Sequence, residues 1–291
     1  MAVTIEKEMK DYKLNIRAEV YQSTEELVHD CQTRPVKIQR FLLDHDGIHK
    51  DWHGVGSYSE ALELLKNGYQ PTVKDLEGGF KVSDRQGYVP RFQFSNCIQG
   101  FAPVVPLALI GVPNNMMNMR MTTIKQKVID VYYDMTANAG TDPEEFIEAG
   151  KSLLETVIEL EKKGYRFNLY AVQTYTGHCD GQPTADMLCV KVKSSDKPLD
   201  LKRMSFPLTH PAFFRVIGFD WEGKSPICRD IGYGRGRAFG YDYDDKQIRT
   251  AVHELLGDNA CYISCAKFIR SKYDTKVLKE AFLNDKKTCN S

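Results

Sequence analysis

Asp134, Thr136 and Asn138 place a carboxylate, a hydroxyl and an amide oxygen at alternate positions after an apolar run. Oxygen donors at that spacing could hold Mg²⁺, with waters completing the octahedron. The same residues could instead make turn and capping bonds with no metal involved. A second group is Arg229, Arg235 and Arg237, set among Gly232, Gly234, Gly236 and Gly240. Glycine-rich backbone can approach an anion closely and arginine grips phosphate in two-pronged fashion, so phosphate, a nucleotide or nucleic acid is the ligand class. The run Gly232-Tyr-Gly-Arg-Gly236 lacks the Lys-Ser/Thr of a P-loop and follows no clear strand, so no nucleotide fingerprint is met. The third group is His210 with Arg215. It could bind a ligand, or His210 could simply cap the helix that Pro211 opens.

Other candidates are weaker. His45, His49 and His53 recur every fourth residue, which on one helix would stack three metal ligands. Asp46-Gly47 is a turn signal that breaks such a helix. His178 and Cys179 are neighbours, but adjacency does not make a nucleophile and base. Asp130 and Asp134 share a strand face, yet paired acid–base work needs an enclosed pocket. No hydrolase, kinase or dinucleotide signature occurs, and the expectation is a protein that is not an enzyme and needs no cofactor, Mg²⁺ apart.

The elements that would position these residues centre on 125–174. Val128–Asp134 is β-branched and aromatic, with the length of a strand. Asp142 reads as an N-cap, with Pro143 at the first helical position and Glu145 completing a capping box. Phe146, Gly150, Leu153, Leu154, Val157 and Ile158 share one face, and Gly164 ends the helix before an alternating strand, Tyr165 to Gln173. Strand, helix and strand at this spacing form a βαβ unit with parallel strands. Upstream, Ser23 and Ser57 start short helices. Residues 75–87 read as a flexible loop or seam. Pro103 to Met117 is apolar and broken by prolines; a buried extended segment is the simpler expectation, and an adaptable contact surface with Met117, Met119 and Met121 the sharper one. Downstream, 174–183 reads as a loop, 187–192 as a strand, and 199–206 and 211–221 as helices separated by Pro207 to Pro211. A helix from 244 or 245 to 256, a strand over 260–265 and a closing helix over 274–283 follow.

Lys+Arg and Asp+Glu both number 39, a balance that argues against a generic nucleic-acid coat. No apolar run approaches the roughly 20 residues of a membrane span, and the N-terminus shows no signal-peptide core. The eight cysteines are scattered without a C-x-x-C pair, which suits free thiols in a reducing cytoplasm.

The loop Asp134-Met-Thr-Ala-Asn138, after a strand and before a long helix, resembles the Asp-x-Ser-x-Ser metal loop of von Willebrand factor A domains, with Thr and Asn in place of the two serines. More widely, Trp52-His-Gly, Ser57-Tyr-Ser-Glu-Ala-Leu-Glu-Leu-Leu-Lys-Asn-Gly68, Gly111-Val-Pro-x-x-Met116, the βαβ unit and Ser205-Phe-Pro-Leu-Thr-His-Pro-Ala-Phe-Phe-Arg215 occur in an order that resembles a family of tailed-bacteriophage and prophage proteins. That likeness spans about residues 40–285 and brings no catalytic residues with it. The βαβ unit and the von Willebrand A-like loop give the expected fold: α/β, a mostly parallel sheet with helices on both faces (von Willebrand A-like or Rossmann-like). The core would be 120–291, with an N-terminal α+β region, 1–119, packed on it. The resemblance implies a phage protein in the host bacterial cytoplasm; the lack of a catalytic signature and the Pro/Met-rich surface make a non-enzymatic binding protein the leading expectation. Its partner would be a host or phage protein complex, in a counter-defence or assembly role, and homo-oligomers are allowed. The alternative is phosphate or nucleic-acid binding through 229–240.

Overall fold

A computed structural model describes residues 2–9, 14–33, 48–77, 88–125, 127–179, 182–224 and 245–284. In chain order these form β1 (Val3–Met9), β2 (Leu14–Tyr21), α1 (Thr24–Thr33), α2 (Lys50–His53), α3 (Tyr58–Asn67), α4 (Gln70–Glu77), β3 (Tyr88–Cys97), β4 (Ala102–Pro103), α5 (Val105–Leu109) and β5 (Met116–Lys125). There follow β6 (Val128–Asp134), α6 (Pro143–Lys162), β7 (Arg166–Cys179), β8 (Gln182–Lys193) and α7 (Leu201–Thr209). A π-helical segment (Phe213–Gly218), α8 (Phe219–Lys224), α9 (Asp245–Leu256), β9 (Ala260–Ser264), α10 (Cys265–Arg270) and α11 (Thr275–Asn284) complete the order.

The protein is α/β. Its main sheet has six strands in the order β1-β2-β8-β7-β6-β9. Three of the five pairings, β2–β8, β6–β7 and β6–β9, are parallel, so the sheet is mixed but mostly parallel. The βαβ unit forms as its residues require: β6 pairs with β7 from Val128↔Arg166 to Asp134↔Val172, and α6 crosses between them. Pro143 sits in the first turn of α6, and the Glu145 carboxylate accepts the Asp142 amide at 3.1 Å. The antiparallel neighbour of β7 was not legible as such. The segment expected as a loop, 174–183, is the closing end of a long β7–β8 hairpin whose pairing runs out to Cys179↔Gln182.

β1 and β2, from the first 21 residues, belong to this same sheet, β2 lying parallel to β8 from Asn15↔Thr184 to Tyr21↔Val190. One face packs an apolar core that draws on Tyr21, Val55, Phe146, Met204 and Phe282. The other face is covered by α9, whose Ile248, Ala251, Val252 and Leu255 meet Val20, Val172 and Met187. Helices therefore lie on both faces. Gly150 is where α6 and α7 touch most closely, since a Cβ there would fall 2.1 Å from the Leu208 carbonyl oxygen. α7 runs on through Pro207 to Thr209 instead of stopping before it.

A second, three-stranded sheet, β3-β5-β4, forms an arm over 88–125. Residues 119 and 120 both lie within its strand β5. The buried extended form expected for Pro103 to Met117 is not what forms. The segment makes a short strand, one helical turn and the start of β5, and leaves Val105, Leu109 and Ile110 at 59%, 81% and 73% exposure. Among the described residues no layer covers it, because the six-stranded sheet packs its faces with other helices. Among the described residues no helix is long and apolar enough to cross a membrane.

Candidate functional site

The carboxyl ends of parallel strands are where α/β sheets usually bind ligands, and β6 and β9 end together here, Asp134 opposite Ser264. Asp134 is buried. One carboxylate oxygen accepts the Thr136 amide at 2.9 Å; the other accepts the Thr174 hydroxyl at 2.6 Å and the Tyr262 hydroxyl. Burial raises its pKa, and these bonds hold it down only in part. The Thr136 hydroxyl accepts the Thr174 amide at 2.9 Å and donates to the Thr174 carbonyl at 3.2 Å. Both side chains therefore stitch the β6 loop to β7 and β9. Asp134 and Thr136 make these bonds within the protein, and Asn138 lies apart from them at the wall of a cavity. Among the described residues no group of three His, Cys, Asp or Glu side chains could hold a metal ion.

That cavity, about 560 Å³, lies between the loop 138–141, the first turn of α6 and α10. Arg270 is its cation. Glu145 is its carboxylate, already spent on the Asp142 amide. Such a lining can seat a polar or anionic group, but it pairs no nucleophile with a base.

Arg215 braces the loop from behind. It is fully buried in the π-helical segment; Nη2 donates to the Thr141 carbonyl at 2.6 Å and Nη1 to the Trp52 carbonyl. The Trp52 indole in turn donates to the Ala139 carbonyl at 2.6 Å. Loss of water pushes the Arg215 pKa down to about 10, and Asp142 nearby opposes the shift, so the guanidinium stays charged at neutral pH. His210 is buried too, beside Phe206 and Tyr69, with ring centroids 5.4 and 4.7 Å away. Its Nδ1 accepts the Ala212 amide at 3.2 Å, the capping role, and burial alone lowers its pKa to about 4. His210 and Arg215 thus act on the protein's own backbone. Arg229, Arg235, Arg237 and His45 lie outside the described residues. His49 caps α2, and its amide donates to Nδ1 of buried His53 at 3.0 Å.

Sequence reasoning missed a buried charged cluster on the β2–β8–β7 part of the sheet. Arg17 donates to Asp186 at 2.9 Å and to Glu19; Tyr175 donates to Asp186 at 2.7 Å, and the Trp221 indole to Glu19 at 2.7 Å. Glu19, Asp186 and Glu222 are all buried. The available signal was Arg17 and Glu19 alternating within Leu14-Asn-Ile-Arg-Ala-Glu-Val-Tyr21: charges on one face of an apolar strand must be either solvated or paired. Gly218 lets the Gln173 side chain pack against its backbone, since a Cβ there would fall 1.6 Å from the Gln173 amide oxygen.

Residues 4–279 match a family described as Domain of unknown function (DUF7192). The chain belongs to that family. The matched region takes in the cavity, the Arg215–Trp52 brace, the charged cluster and the arm. No curated protein and no solved structure matches the chain.

Proposed function

We propose that this chain is a phage-encoded protein-binding module that acts inside the infected bacterial cell, and that it docks through the arm 88–125. The observation that carries the reading is the concentration of exposed apolar side chains. Of the eleven large hydrophobic residues exposed among the described residues, seven (Phe94, Ile98, Phe101, Val105, Leu109, Ile110 and Met119) belong to the arm. Apolar patches of that extent on soluble proteins mark contact surfaces. Burying one such side chain is worth roughly 1.5–3 kcal/mol, so a few of them suffice for a specific complex. The arm also holds its own shape: the Phe101 amide donates to the Met117 carbonyl at 2.9 Å and the Val104 amide to the Asn115 carbonyl at 2.6 Å.

A binding role in preference to a catalytic one is supported by the cavity, where Glu145 caps α6 and no nucleophile is paired with a base. The βαβ unit with a polar loop closing β6 supports the likeness to von Willebrand A domains, and the order of the Trp52-His-Gly and Thr209-His-Pro-x-x-x-Arg215 segments supports the phage origin. The test is affinity capture from infected cells with the native chain and with Leu109→Asp/Ile110→Asp. Proteins retained by the native chain should be lost with the variant; equal capture by both would sink the arm as the docking element.

A further inference from the structure

We infer that the arm is the contact between two copies of this chain, packed arm against arm about a twofold axis. The inference rests on the docking reading above and names its partner.

The first ground is stability. β3 and β5 pair only with each other from Tyr88↔Lys125 to Cys97↔Met116, and β4 adds just Ala102 and Pro103. A two-stranded ribbon is marginal by itself in water and needs a layer packed on it. The main sheet does not extend into it.

The second ground is charge. Phe92 to Met119 is 28 residues without a single Asp, Glu, Lys or Arg, in a chain where such residues are 27%. In a twofold contact each residue near the axis faces its own copy, so any charge there would meet its like. A different partner imposes no such rule, and contacts between unlike proteins usually use facing charges for steering and register. Arg91 and Lys125 lie toward the Tyr88↔Lys125 end of the ribbon; Arg120 sits midway along it opposite Gln93, on the strand face away from Phe94 and Met119, and the arm has no acidic residue.

The third ground is complementarity. The other exposed large hydrophobics among the described residues, Val3, Val128, Val277 and Leu283, are dispersed over β1, β6 and α11. Among the described residues, the apolar surface that can cover one arm is another arm. The uncharged stretch also has the size of one side of a standard interface, roughly 20–30 residues.

Light scattering coupled to gel filtration of the full chain tests this. The native protein should run at twice the 33.2 kDa chain mass, and Leu109→Asp/Ile110→Asp and, separately, Phe94→Asp should run as monomers. Both variants should stay folded by circular dichroism, because all three side chains are exposed within one chain, and should melt below the native dimer, because the arm loses its covering layer. A native monomer at tens of micromolar (~), or a dimer that survives both variants, overturns the inference. If the native chain is monomeric while Leu109→Asp/Ile110→Asp still abolishes capture of another protein, the second-copy inference fails and the docking reading stands. If it is monomeric and capture is unchanged, both fail.

Discussion

The guanidinium carbon of Arg215 lies 4.3 Å from the centre of the Trp52 ring, and the same guanidinium donates to the Trp52 backbone carbonyl. Phe146 of α6 closes the other side, 4.9 Å away. Two sequence segments more than 150 residues apart therefore form one unit: the Trp-His-Gly turn supplies the ring and the carbonyl, and the Thr-His-Pro-x-x-x-Arg segment supplies the cation. The unit fixes the loop 139–141, which is one wall of the cavity at the end of β6.

Arg215→Lys should accordingly be costly although it preserves charge. A single ammonium cannot span the Trp52 and Thr141 carbonyls and stack on an indole as well, and it would be buried with fewer bonds. The expected loss is about 3 kcal/mol in urea unfolding, with a changed Trp52 emission that reports the displaced loop. A loss below about 0.5 kcal/mol, the range of ordinary surface substitutions, would show that the brace is dispensable.

Gly150→Ala should destabilise, against helix propensity. An isolated helix would gain about 1 kcal/mol from the exchange. Here the new methyl would meet the Leu208 carbonyl oxygen at 2.1 Å and the Thr209 Cα at 2.6 Å, both backbone atoms that cannot rotate away. Pushing α6 off α7 should give a net loss of roughly 2 kcal/mol. Gly140→Ala is the control: nothing lies within 4 Å of its Cβ position, and its unfolding midpoint should barely move.

Gly150 also shows how far sequence could reach. Its place on the apolar face of α6 was readable from the 3.6-residue period, and so were the strands on either side, because local pattern alone specifies a βαβ unit. The contact that makes it glycine was not, since Leu208 is distant in sequence and sits in a helix that continues through Pro207. β1 was hidden for another reason. As an edge strand it exposes Val3, Thr4, Glu6, Lys7 and Glu8, so no apolar alternation marks it as a strand. The arm misled because an apolar, proline-rich run reads as buried whenever nothing says that no layer will cover it. At the β6 loop the residue types were visible but not their directions. Asp134 and Thr136 turn toward Thr174 and Tyr262, partners that only the pairing of β6 with β7 and β9 brings near.

The pH dependence of folding should carry opposite marks from the two buried ends of this site. His210 titrates near 6.5 when unfolded and at about 4 in the fold, because burial disfavours its charged form and the Ala212 amide already occupies Nδ1. Between those values the unfolded chain binds a proton that the folded chain refuses. Stability contributed by neutral His210 is thus complete above pH 6.5 and is lost as the pH falls toward 4, by about 3 kcal/mol across the window. Asp134 runs the other way. Its folded pKa is raised by burial, so on acidification the folded state takes up the proton first, and stability grows as the pH falls from the raised value toward the unfolded one. Urea midpoints between pH 7 and pH 5 read the His210 contribution. The native chain should weaken on acidification, and His210→Asn should weaken less, because the titrating ring is gone. If His210→Asn kept the full native slope, the acid sensitivity would have to arise elsewhere, and burial of the imidazole against Gly54, where its Cε1 lies 2.7 Å from a would-be Cβ, would have no thermodynamic signature.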